Sequence, residues 1–165
     1  MDAPDQLALS DFKDTVQYVF IFLITLFVMQ LLIGVALIPT ASMEPTLTVG
    51  KKYMFLQTSY LFKDPQCGDI IVFDDHGTVY CKRIIGTPHD VIEFKDEEVY
   101  VNGNKLDEPY AHGITRAYTF ERYEVPEGEY FFMGDNRENS HDSRSWDYPF
   151  IKKEQILGKV IRFKK

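Results

Sequence analysis

The chain has 165 residues, with 18 basic against 25 acidic side chains for a formal charge of −7, and 45% of it is apolar; that length accommodates one modest domain. An acidic sum without any Lys/Arg-rich run argues against a nucleic-acid-binding surface, which needs concentrated positive charge against the phosphate backbone. With 13 Phe, 10 Tyr and one Trp, the chain carries too much buryable aromatic area for intrinsic disorder.

Charge is distributed very unevenly. Residues 15–43 contain no Asp, Glu, Lys or Arg, a run of 29 positions rich in Phe, Leu, Ile and Val. A helix over residues 15–38 would reach about 36 Å at about 1.5 Å per residue, slightly more than the roughly 30 Å hydrocarbon core of a bilayer. The run predicts a transmembrane anchor at 15–38, preceded by a short tail at 1–14. A buried core helix is seldom so long or so apolar all round, and a cleavable secretion signal is usually shorter and preceded by positive charge. Here the leader carries Asp2, Asp5, Asp11 and Asp14 against Lys13 alone. Lys51, Lys52 and Lys63 after the span favour an external N-terminus, but large folded domains translocate largely regardless of charge, so the count leaves orientation open. Pro39 lacks an amide donor and restricts Ile38 to extended geometry, which predicts the end of the helix there.

From residue 39 onward the pattern changes to short apolar or alternating runs separated by Gly, Pro, Asn and Asp. KYMFLQ (52–57), IIVF (70–73), VYCKRII (79–85), DVIEF (90–94), EVYV (98–101), EYFFM (129–133) and LGKVIRF (157–163) are strand signals. Asn102-Gly103 accepts the positive φ angles of a tight hairpin. With no internal repeat or second linker, residues 39–165 are expected to form a single β-rich unit. The fold class is therefore mostly β: an N-terminal transmembrane helix followed by one β-rich domain.

Three constellations carry chemistry. Ser42, in IPTASMEPTL (38–47), follows the anchor directly, where it is held near the bilayer surface; by itself a serine beside Pro is equally a turn residue. The usual partners fail on spacing: no GxSxG elbow is present, Pro45 occupies the lysine position of SxxK, and no KTG follows. In VYCKRII, strand alternation places Tyr80, Lys82 and Ile84 on one face and Val79, Cys81, Arg83 and Ile85 on the other. Burial disfavours an ammonium ion, so Lys82 among apolar neighbours can become a neutral amine and a general base. The alternative is a stem packed on the sheet with its ammonium in water. The third is the polar run GDNRENSHDSR at 134–144, in which ion pairs and Asx-type turns can fix a loop that orients other groups; a solvated charged turn is the bland reading.

Together these blocks resemble type I signal peptidases of the bacterial Ser/Lys kind, in the short single-anchor form common in Gram-positive bacteria. The resemblance rests on IPTASMEPTL, GDIIVF (68–73), KRIIGTPHD (82–90) and GDNRENSHDSR, in the family's order behind an N-terminal anchor. It implies Ser42 as nucleophile and Lys82 as general base, with Thr40 helping the Ser42 amide to form an oxyanion hole. It implies supporting roles for Ser140, which would orient Lys82, for Asp142 with Arg144 as its charge partner, and for Asp135 with Arg83. Ile38, Pro39, Met43, Leu47, Tyr80 and Cys81 fall at positions resembling the family's shallow substrate pockets. The implied reaction is acyl transfer without metal or cofactor, on signal peptides of exported preproteins, cut after small residues such as Ala-x-Ala. The implied location is the cell membrane, single-pass in the lipid bilayer, with the catalytic domain on the extracytoplasmic side and no nucleic-acid partner. Three positions depart from the family's usual pattern: His89 stands where glycine is usual, Trp146-Asp147 replaces an aromatic-glycine pair, and Cys81 replaces an aliphatic residue before Lys82.

His76, His89, His112 and His141 show no HExxH or comparable ligand spacing. Cys67 and Cys81 are read as free thiols, pairing remaining open. A self-cleaving Ser/Lys repressor shares a related β fold, but it is soluble and cleaves itself upstream of its serine, against the apolar run here. A noncatalytic membrane-anchored scaffold is opposed by the intact Ser42 and Lys82. Finally, Tyr53, Phe55, Tyr60 and Phe62 suggest that part of the domain rests on the membrane interface.

Overall fold

The computed structural model describes the backbone of residues 3–161 and the side chains of residues 12–161. It opens with α1 (Ala3–Leu32). Phe12–Leu32 is long and apolar enough to cross a membrane, with mean hydropathy 2.1 and none of the span buried by the rest of the chain. A helix apolar all round and unburied by its own chain has the length and composition of a bilayer-spanning segment.

The helix stops six residues before the boundary predicted at Ile38. Residues Ile33–Leu37 form strand β1 instead, so the apolar helix runs into the β domain without a linker. β1 pairs antiparallel with β2 (Lys52–Leu56), and Gly34 faces Phe55. A Cβ on Gly34 would lie 2.1 Å from the Phe55 ring. Ile33, Gly34 and Val35 are poor helix formers, and strand pairing plus the ring stacked on Gly34 outweighs the apolar continuity on which the helical expectation rested.

The remaining strands are β3 (Ile70–Asp75), β4 (Thr78–Gly86), β5 (Val91–Lys95), β6 (Glu98–Val101), β7 (Asn104–Lys105), β8 (Arg122–Glu124), β9 (Glu129–Met133), β10 (Phe150–Lys152) and β11 (Ile156–Val160). They make one antiparallel sheet in the order β1-β2-β11-β3-β4-β9-β10 and a smaller one in the order β7-β6-β5-β8. Every predicted strand is found. The last is shorter than predicted, and residues 162 and 163 of its run lie outside the described residues. β1, β7, β8 and β10 were not predicted; they are short or, for β1, hidden in the apolar run. Asn102 and Gly103 make the expected hairpin at φ 53° and 77°, bringing Val101 opposite Asn104.

Strand alternation divides the large sheet's apolar residues between its faces. Ile71, Phe73, Ile84, Tyr130, Phe132 and Ile151 pack on one side. On the other, Ile70 and Val72 join Ile38, Met43, Leu47, Phe55 and Val160, while Ile85, Phe131 and Met133 pack against Ile92, Val99 and Val125 of the small-sheet region. The interfacial ring set is corrected by this packing. Phe55 is buried, Tyr60 donates its hydroxyl to Asp69 at 2.8 Å, and Tyr53 accepts from the Thr48 N–H at 3.0 Å. Phe62 alone of the four is fully presented, at 98% exposure.

Candidate active site

Residues 38–47 leave β1 and enter a 3₁₀ turn at Ala41–Met43. Met43 and Leu47 are fully buried in the sheet core, and these two apolar anchors hold the turn down while Ser42, immediately before Met43, is 6% exposed. Thr40, with extended backbone, brings its hydroxyl to 3.3 Å from Ser42 Oγ.

Opposite lies β4. β9 pairs with β4 only from Arg83 onward, so residues 78–82 have no strand on that side. Between this open edge and residues 36–43 runs a groove of about 360 Å³ that contains both Ser42 and Lys82. Ile38, Pro39, Thr40, Met43, Tyr80 and Cys81 also line it. Leu47 does not: it is wholly buried beneath the turn. A larger, more polar hollow of about 950 Å³ shares Tyr80 and His141 with the groove but holds neither Ser42 nor Lys82.

Lys82 is 4% exposed, and among the described residues no carboxylate comes within ion-pair distance of its ammonium. Loss of hydration pushes its ammonium down from 10.5 to about 8, a shift that the charge of Asp142 and the neighbouring Cys81 oppose and that of Arg144 assists. At pH 7 about one such lysine in ten is neutral, against about one in 3,000 in water. Burial likewise pushes the Cys81 thiol up to about 12, which keeps it protonated. Cys81 and Cys67 are both free.

The loop at 134–144 is ordered by its own charges. Asp142, fully buried, accepts from Arg144 Nε and Nη2 at 2.8 Å each and from the Gly134 N–H at 2.9 Å. Burial, the largest single influence, would raise its carboxyl, but the Arg144 guanidinium together with the Gly134 N–H and the Ser140 hydroxyl holds it below the usual range. Asp135 takes a bidentate pair from Arg83, at 2.8 Å from Nε and 2.6 Å from Nη2. Arg83 also donates to the Gly68 carbonyl at 2.7 Å and lies 3.8 Å over the Tyr110 ring. Ser140 Oγ is buried and, as a neighbouring hydroxyl, helps hold the Asp142 carboxyl low. It converges with the Ser42 carbonyl on Gly134, where a Cβ would come within 2.3 Å of Ser140 Oγ and 2.4 Å of Ser42 O.

Other residues join the site that composition and spacing did not single out. Asn136 donates its backbone N–H to Ser42 O at 3.0 Å and its side-chain Nδ2 to Ala41 O at 3.2 Å. Arg137, 1% exposed, reaches Glu108 Oε2 at 2.8 Å, Thr115 Oγ1 at 2.9 Å and the Gly134 carbonyl at 3.2 Å. Asn136 and Arg137 lie within the polar run and so carried a signal. Glu108 and Thr115 stand 20 to 30 residues upstream in an unremarkable loop and carried none.

A sequence-family model described as "Signal peptidase, peptidase S26" matches residues 12–163. The chain belongs to this family. It is 38% identical over 135 residues to a probable signal peptidase I-2 of Synechocystis sp., covering 76% of this chain and 61% of that one. It is 41% identical over 127 residues to signal peptidase I S of Bacillus subtilis, covering 71% and 68% respectively. A crystal structure of a signal peptidase I from Enterococcus faecalis V583 is 33% identical, with TM-score 0.49, covering 60% of this chain and 98% of that one. The chain thus spans 61% of the length of its Synechocystis relative.

Proposed function

We propose that this chain is a membrane-bound serine endopeptidase that removes signal peptides from exported preproteins, cutting after a small residue in an Ala-x-Ala context. Membership of the signal peptidase family supports the substrate class. What carries the mechanism is that Ser42 shares one apolar groove with a buried lysine lowered to about 8.

In the proposed reaction the substrate lies extended in the groove, using the unpaired edge of residues 78–82 as a strand would. Neutral Lys82 takes the hydroxyl proton of Ser42 as Oγ attacks the scissile carbonyl. The oxyanion is held by the Ser42 N–H and the Thr40 hydroxyl. Lys82 then gives its proton to the leaving amine, the C–N bond breaks, and an ester joins Ser42 to the signal peptide. Water, losing a proton to Lys82, attacks the ester; that proton returns to Ser42 Oγ as the signal peptide leaves with a new carboxylate. Asp142 with Arg144, Asp135 with Arg83, and Ser140 hold Lys82 and the Ser42 turn in register. The apolar groove floor at Ile38, Met43 and Cys81 favours small apolar side chains. Phe12–Leu32 crosses the bilayer and the catalytic domain faces the extracytoplasmic side, where exported chains emerge. The proposed chemistry needs no metal or cofactor, and the acidic net charge argues against a nucleic-acid partner.

The test is cleavage of a preprotein bearing an Ala-x-Ala site by the full chain in detergent, beside Ser42→Ala, with the new N-terminus sequenced. Cleavage after the second alanine by the wild type alone is expected. Equal cleavage by Ser42→Ala would remove Ser42 as nucleophile, and no cleavage by either would reject the assigned activity.

A further inference from the structure

The peptide unit joining Ala41 to Ser42 carries, on its nitrogen, the N–H that the reading above assigns to the oxyanion hole. Its oxygen is held from two directions. The Glu44 N–H donates to Ala41 O at 3.1 Å, closing the 3₁₀ turn, and Asn136 Nδ2 donates to the same oxygen at 3.2 Å. The next carbonyl, of Ser42, accepts the Asn136 backbone N–H at 3.0 Å. One residue therefore grips both peptide planes that flank the Ser42 side chain.

Asn136 is itself held rigidly. The His112 N–H donates to Asp135 O at 2.7 Å and the Arg137 N–H to His112 O at 2.8 Å, so Asn136 lies in an isolated parallel bridge with His112. Arg137 is buried and pinned on Glu108 and Thr115, while Arg83 pins Asp135 from the other side. A donor fixed in this way can set the plane of a flexible turn instead of following it. A hydrogen bond to the carbonyl also polarises the N–H of the same peptide unit.

We propose that Asn136 is a positioning residue that orients and polarises the Ala41–Ser42 peptide so that the Ser42 N–H points at the developing oxyanion. The inference rests on the dyad reading above. It predicts an effect on the chemical step, not on substrate binding or on Lys82. Deleting an oxyanion donor outright costs about 10²–10³ in rate, and misdirecting one should cost about 10- to 100-fold in kcat.

The experiment compares full-length wild type, Asn136→Ala, the isosteric Asn136→Asp and Ser42→Ala on one preprotein in detergent, with kcat, KM, the pH profile and the thermal midpoint measured. Support is a kcat lowered about 10- to 100-fold in both Asn136 variants, with KM within about threefold and an unchanged apparent pKa near 8. The proposal is overturned if kcat stays within twofold, if KM alone changes, if the apparent pKa moves, or if both variants fail to fold. Ser42→Ala separates the two layers: activity retained there removes the dyad reading, whereas an inactive Ser42→Ala beside a fully active Asn136→Ala removes only this inference.

Discussion

Arg83 and Asp135, 52 residues apart, form a bidentate ion pair between the two apolar clusters on one face of the large sheet, both side chains almost wholly out of solvent. The pair ties the strand that carries Lys82 to the loop that grips Ser42. Removing one partner leaves an uncompensated buried charge, which costs about 3–5 kcal/mol. Asp135→Ala is therefore expected to lower the stability of the chain by that amount and to abolish cleavage with it. Denaturant unfolding in detergent checks this, and a variant as stable as wild type would show that Arg83 finds water or another acceptor.

Lys82 should govern the pH dependence of cleavage. The base must be neutral, so kcat/KM should rise with pH and level off above about 8. Lys82→Met should cut activity by at least about 100-fold. A rate that stayed flat between pH 6 and 9 would argue against Lys82 as the base.

The same residue should cost stability, and the sign follows from the direction of its shift. Folding lowers the ammonium from 10.5 to about 8, so the unfolded chain binds more protons between those values and stability rises with pH across that window. Below pH 8 the full penalty, about 3 kcal/mol, is present. Lys82→Met is expected to be more stable than wild type at pH 7, with the advantage shrinking by pH 9.5. Unfolding curves at the two pH values give the comparison, and an advantage that grew with pH would contradict the buried-amine picture.

His89 sits at φ 70°, in the left-handed region where side chains other than glycine are strained. Its backbone N–H donates to Val125 O at 2.9 Å, so the turn that glycine would favour is kept. His89→Gly should gain about 1 kcal/mol from relief of that strain, less what glycine costs in chain entropy. Thermal unfolding measures the balance; a clear loss would mean that the exposed contact with Glu127 matters more than the backbone.

Gly134 is where two chemical groups leave no room for a side chain. A Cβ there would meet a backbone carbonyl, Ser42 O, at 2.4 Å, and a backbone cannot swing aside as a long side chain can. Gly134→Ala should displace the Ser42 turn and lower kcat/KM by about 100-fold, the scale of a misplacement of about 1 Å. Full activity would show that the turn and the loop move independently.

Local pattern made much of this protein legible. A charge-free run of 29 residues announces an anchor because bilayer thickness sets its length, and alternation in VYCKRII places Lys82 opposite Arg83 because strand side chains alternate whatever the rest of the fold does. The motif blocks resembling the family point to Ser42, Lys82, Asp142 and Arg144, and the ion pair between the last two, which the resemblance implies, is present in the structure. The end of the helix is not legible in the sequence, since nothing local distinguishes an apolar helix from the apolar strand that follows it.

The sequence by itself determined the N-terminal apolar helix, the β character, the hairpin at Asn102-Gly103 and the residue types available for chemistry, because each depends on neighbours a few positions away. Only the tertiary structure decided that Gly34 under Phe55 ends the apolar helix and starts β1 at Ile33. It alone buries Leu47 beneath the Ser42 turn and brings Glu108 to Arg137 and Asn136 to Ala41. Those outcomes depend on packing and on satisfying buried charges between segments distant in sequence, and no local periodicity records which distant partner a buried polar group will meet.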